Sequence, residues 1–123
     1  PWIAATRRID QLKEESLDAL GGKVIKLPSM ENGWVNLTAL LEDLYKRGIR
    51  SVMVEGGARI ISSFLRENLA DLVIITIVPV ILGGFRGIHA LESLKSPFIT
   101  SFNDILYDYF EDNLIVCGFT GNS

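Results

Sequence analysis

The residues best suited to chemistry are Glu55-Gly56-Gly57-Ala58, which follow the extended apolar run Ser51-Val52-Met53-Val54 and open into Arg59-Ile60-Ile61-Ser62-Ser63-Phe64-Leu65. Ile60, Ile61, Phe64 and Leu65 share one side of a helix at that spacing. Strand, glycine turn and helix therefore follow one another. Glycines at such a turn let backbone approach a ligand without Cβ interference, and the helix start aims N–H groups and the positive end of its dipole outward. A phosphate or pyrophosphate fits those donors. A tight connection between strand and helix would use the same two glycines, so the pattern alone supports either role. Glu55 adds to the ligand reading. A carboxylate at the carboxyl end of a buried strand is costly unless it is paired or faces a ligand, which makes Glu55 the first candidate to touch substrate.

Three further places carry polar groups of interest. Thr6-Arg7-Arg8 closes the apolar segment Pro1 to Thr6, where guanidiniums either fork onto a phosphate or stand solvated at the surface. Gly83-Gly84-Phe85-Arg86-Gly87 is a loop long enough to close over a ligand, or a plain surface connection. His89, beside that loop, reads as a surface or packing residue ahead of a catalytic base. One His and one Cys cannot supply a zinc set, and no carboxylate cluster replaces them, so no metal is expected.

Composition narrows the classes. The chain has 123 residues, 48% of them hydrophobic, which suffices for one domain (residues 1–123) with a real core. A net charge of −3 and the lack of a basic stripe with interleaved aromatics argue against a nucleic-acid partner. The longest apolar run, Leu69 to Gly84, is broken by Asp71 and Pro79 and is too β-branched for a membrane helix. No charged-then-apolar signal opens the sequence, and the single Cys117 fits a reducing compartment, so a cytoplasmic protein is expected.

The elements that must position these groups can be read in order. Pro1 to Thr6 is a strand; Asp10 to Leu20 is a helix or helical turn ended by Gly21-Gly22; Lys23 to Leu27 is a short strand closed by Pro28. Asn36 caps a helix over Leu37 to Arg47, stopped by Gly48. Leu72 to Pro79 is apolar on both faces and predicts an interior strand. Asp104 to Phe110 and Leu114 to Phe119 predict a hairpin through Glu111-Asp112-Asn113. Alternating strands and helices followed by a hairpin indicate an α/β sheet, mainly parallel, with an antiparallel edge.

The stretches GIRSVMVEGGA and LADLVIITIVPVILGG together resemble the pyrimidine reductase of riboflavin biosynthesis, and the similarity runs from the PWIAAT strand to the closing hairpin. The resemblance implies a dihydrofolate-reductase-like fold. It also implies reduction of 2,5-diamino-6-ribosylamino-4(3H)-pyrimidinone 5′-phosphate to its ribitylamino counterpart, with NADPH delivering a hydride to C1′ of the ring-opened sugar imine. Positioning and charge stabilisation can carry most of such a reaction. Carried over by resemblance, Gly56, Gly57 and Ala58 hold the cofactor pyrophosphate. Thr6 and Arg7, with Arg8 beside them, meet the adenosine side and its 2′-phosphate. Glu55 faces the ribose or nicotinamide as the catalytic and substrate-binding residue, and Gly83 and Gly84 line the mouth of the substrate site.

Members of that family normally carry further strands ahead of the PWIAAT segment. The resemblance therefore implies a partial reductase domain, its carboxyl-terminal portion, with the amino-terminal strands missing, and it implies a homodimer. Competing expectations are a dihydrofolate reductase relative on the same fold and a non-catalytic nucleotide-binding or assembly module. A bifunctional deaminase–reductase is a further reading only if the deaminase lies in the absent portion, since the zinc signature of such enzymes is not present in these residues.

Overall fold

The computed structural model describes residues 1–81 and 101–121. The chain divides into two compact units, Pro1–Val52 and Met53–Ser123.

In the first unit, β1 (Trp2–Thr6) and β2 (Lys23–Leu27) pair in parallel, from Trp2 opposite Lys23 to Thr6 opposite Leu27. The crossover between them is α1 (Gln11–Ala19). Asp10 starts this helix with its carboxylate, which accepts from the backbone N–H groups of Leu12 and Lys13. The return into β2 passes Gly21, at φ 76, and the buried Gly22, where an added Cβ would lie 2.7 Å from Ile3 Cδ1 and 3.0 Å from the Leu17 carbonyl. Only glycine allows strand and helix to come that close. After β2, Asn36 caps α2 (Leu37–Lys46) through the N–H of Ala39. Ile25, Leu27 and Leu37 are the buried apolar residues of this unit. At its rim the Arg47 guanidinium lies 5.3 Å from the centre of the Trp2 ring and also pairs with Asp43.

The second unit holds α3 (Ala58–Arg66) and an antiparallel sheet in the order β3-β5-β4, built from β3 (Leu72–Ile77), β4 (Phe102–Phe110) and β5 (Asn113–Thr120). β4 and β5 form the expected hairpin, with Phe110 opposite Asn113 and Glu111 at φ 53 in the turn. A bulge between Asn103 and Leu106, with Asp104 at φ 49, interrupts the ladder. Thr120 ties the end of β5 to the chain before β3: its N–H donates to the Asp71 carbonyl and its hydroxyl to that of Ala70. Among the described residues, no helix is long and apolar enough to cross a membrane.

Two elements differ from expectation. Ser51-Val52-Met53-Val54 is not a strand. A strand satisfies its backbone groups only through a neighbour, and none of the described residues pairs with this segment. Its side chains are correspondingly open, with Met53 78% exposed, and the boundary between the two units falls within it. Leu72–Ile77 is a strand, but it lies at an edge of its described sheet, paired with β5 alone. Its consecutive residues Ile74 and Ile75 point to opposite faces and both are exposed. Parallel pairing is confined to β1 and β2 among the described residues.

Candidate nucleotide site

The start of α3 is built differently from those of α1 and α2. Its N-cap is Gly57, at φ −70 and ψ 162, and no side chain caps it. In its first turn the Ile60 N–H donates to the Gly57 carbonyl at 3.1 Å. The two glycines serve different purposes. Gly56 sits at φ +148, where residues with a side chain are strained, and an added Cβ would lie 3.0 Å from Ile60 Cγ2. Gly57 has an ordinary extended backbone, and an added Cβ there would meet nothing within 4 Å. Gly56 thus shapes the turn, and Gly57 adds no side chain to the helix start. Such a turn can receive an anion. Ala58, its first helical residue, is small and half-buried.

Glu55 precedes the turn, but it is exposed and lies outside any strand. The burial cost that singled it out in the sequence does not apply to it here; its position beside Gly56 remains.

The other expected contacts lie in the first unit. Thr6 ends β1, and a tight turn follows: the Arg7 N–H donates to the Leu27 carbonyl at 3.2 Å, and the Ile9 N–H to the Thr6 carbonyl at 3.1 Å. A groove of about 390 Å³ opens beside this turn, between the end of β1 and the first turn of α1, lined among others by Thr6, Arg8, Asp10 and Lys13. Of the two arginines, Arg8 lines the groove and Arg7 does not. Lys13 was not singled out by the sequence. The available signal was its place three residues after a helix-capping Asp, which puts it on the first turn at the strand's carboxyl end. Gly83, Gly84 and His89, with the loop around them, lie outside the described residues.

Comparison with known proteins gives this arrangement a lineage. Residues 1–103 match the family model described as the RibD C-terminal domain. A 2,5-diamino-6-ribosylamino-4(3H)-pyrimidinone 5′-phosphate reductase from Aquifex aeolicus is 40% identical over 82 residues, covering 67% of this chain and 35% of the relative. The reductase of the same name from Debaryomyces hansenii is 43% identical over 88 residues, covering 68% of this chain and 36% of the relative. The chain thus spans about a third of the length of the curated relatives it matches. Among solved structures, the Saccharomyces riboflavin biosynthesis reductase Rib7 superposes with a TM-score of 0.73 at 23% identity, over 98% of this chain and 51% of that one. A pyrimidine reductase-like protein from Corynebacterium diphtheriae gives 0.71 at 17% identity, over the whole of this chain and 51% of that one. At those identities the structures establish the fold, that of the riboflavin-pathway reductase domains. With its glycine turn, its parallel β1-α1-β2 crossover and a family match over residues 1–103, the chain belongs to the RibD C-terminal domain family.

Proposed function

We infer that this chain is the carboxyl-terminal, nucleotide-binding portion of a pyrimidine reductase of riboflavin biosynthesis. The reaction is reduction of the ribosylamino group of 2,5-diamino-6-ribosylamino-4(3H)-pyrimidinone 5′-phosphate to ribitylamino, with NADPH. The observation that carries this reading is the start of α3, where Gly57 brings no side chain to the helix cap and, among the described residues, an added Cβ would meet nothing within 4 Å. The named activity of the relatives at 40% and 43% identity supplies the chemistry.

In this reading the turn Gly56-Gly57-Ala58 holds the pyrophosphate by backbone N–H groups and the helix dipole. NADPH supplies the hydride when bound. Thr6 and Arg7 stand on the adenosine side. Glu55, immediately before the pyrophosphate turn, contacts the ribose or the reacting end of the substrate, and Gly83 and Gly84 border the substrate. The working protein is a homodimer.

The test is substrate-dependent NADPH oxidation by the whole reductase that carries this segment, with Glu55→Gln compared to the parent. Loss of one charged hydrogen bond to the reacting substrate lowers kcat about tenfold or more, while NADPH affinity stays nearly unchanged. Equal turnover of the two proteins removes Glu55 from the site, and no substrate-dependent oxidation by the parent refutes the reductase reading.

A further inference from the structure

The open edge of β4 is interrupted twice, each time at an aspartate. In the order β3-β5-β4, β4 pairs with β5 alone among the described residues, so its other side carries unpaired backbone groups. Phe110 and Asn113 flank the two-residue turn Glu111-Asp112 and form the last hydrogen-bonded pair of the hairpin. Bonded and non-bonded pairs alternate from there. Phe110 and Asp108 therefore turn their backbone N–H and C=O groups toward β5, and Tyr109 and Tyr107 turn theirs to the open edge. The Asp108 carboxylate accepts from the Tyr109 N–H at 2.8 Å. Further back, the bulge between Asn103 and Leu106, with Asp104 at φ 49, breaks the edge again.

The regular stretch that remains, Leu106 to Phe110, is short but adhesive. Leu106, Tyr107, Tyr109 and Phe110 are each between 66% and 72% exposed. An edge strand with such side chains is a template for another strand. A second copy presents the same segment, and an antiparallel meeting across a two-fold axis pairs it with itself. In that register Leu106 lies opposite Phe110, Tyr107 lies opposite Tyr109, and the axis passes through Asp108. Tyr107 and Tyr109 would exchange the hydrogen bonds, since theirs are the backbone groups that face the edge. Asp108 would meet its own copy as a non-bonded pair with Cα atoms about 4.5 Å apart. Like charges directly opposite each other destabilise a strand pair.

We propose that Asp108 keeps the β4 edge from pairing with the β4 edge of a second copy. It does so in two ways: its carboxylate occupies the Tyr109 N–H that the pairing needs, and its charge stands on the axis of the pairing. Asp108 is itself exposed, so its replacement leaves the packing of the hairpin intact.

Sedimentation velocity tests this, with thermal melting followed by circular dichroism as the check on folding. Asp108→Val places an apolar strand-former on the axis. It should give a species of twice the parent's mass, with self-association about tenfold tighter or more than the parent's. Adding Tyr109→Pro deletes the edge N–H at a position where an edge strand accepts proline, and should restore the parent's mass. A parent-like mass for folded Asp108→Val, or association that persists in the double variant, overturns the proposal. Amide exchange in the parent gives a second test that needs no variant. Among the described residues a carboxylate holds the Tyr109 N–H but not that of Tyr107, so Tyr109 should exchange about tenfold more slowly or more after correction for intrinsic rates. Equal protection of the two amides overturns the role of Asp108.

Discussion

Replacing Gly57 by Asp separates stability from binding at the start of α3. Its backbone, at φ −70 and ψ 162, accepts any residue, and a Cβ meets nothing within 4 Å. Asp is a better N-cap than Gly by a few tenths of a kcal/mol, and a negative charge at a helix N-terminus adds about 0.3–1 kcal/mol. The fold should therefore hold or gain slightly. Binding should collapse, because the new carboxylate takes the N–H groups proposed for the pyrophosphate and opposes its charge. Two unit charges about 4 Å apart repel by roughly 1 kcal/mol in bulk water and about 4 kcal/mol near a protein surface. Each lost hydrogen bond to the charged phosphate removes about 1.5–3 kcal/mol more. A total of at least about 3 kcal/mol corresponds to more than a hundredfold in Kd. Calorimetric titration with NADPH measures the affinity, and thermal melting followed by circular dichroism measures the fold. Gly57→Ala is the control: it adds only a Cβ in open space and should keep most of the affinity. Parent-like NADPH binding by Gly57→Asp would remove the α3 start from the site. A large fall in Tm would show that the cap reasoning is wrong.

Two further substitutions test the frame that carries these sites. Asp10→Ala deletes the side-chain cap of α1 and should cost about 1 kcal/mol, visible as faster amide exchange at Leu12 and Lys13, the two N–H groups it holds; unchanged exchange there would refute the cap. Gly118→Ala puts a methyl group 2.6 Å from Phe102 Cβ, between β5 and β4, and should destabilise by about 1–3 kcal/mol through overpacking. An unshifted Tm in that variant would show that Phe102 can move aside at no cost.

Much of the local structure is determined by residues close together in sequence. Asp10 and Asn36 place two helix starts through their own side chains, Gly21 at φ 76 and Gly48 at φ 91 permit the turns that follow those helices, and Glu111-Asp112-Asn113 between two apolar runs gives the hairpin. The glycine turn was legible for the same reason: Gly56 and Gly57 act through their own backbone and the helix they begin. Partnership was not legible. Ser51 to Val54 has the composition of a strand, yet a strand exists only where a second one completes its hydrogen bonds, and among the described residues none does. Leu72 to Ile77 reads as interior because both faces are apolar, but apolar faces state a preference for burial and cannot name the neighbour that provides it.

The second candidate site shows the same division. Thr6, Arg7 and Arg8 are consecutive in sequence and look equivalent, whereas the turn after β1 sends Arg8 to the groove, leaves Arg7 out of its lining and brings Lys13 in from the helix. Sequence alone determined where the helices begin and where the backbone could bend, because those preferences are set within a few residues. Tertiary structure decided which charges share a surface and which acids are already engaged, because those depend on distances between groups that the sequence does not place side by side.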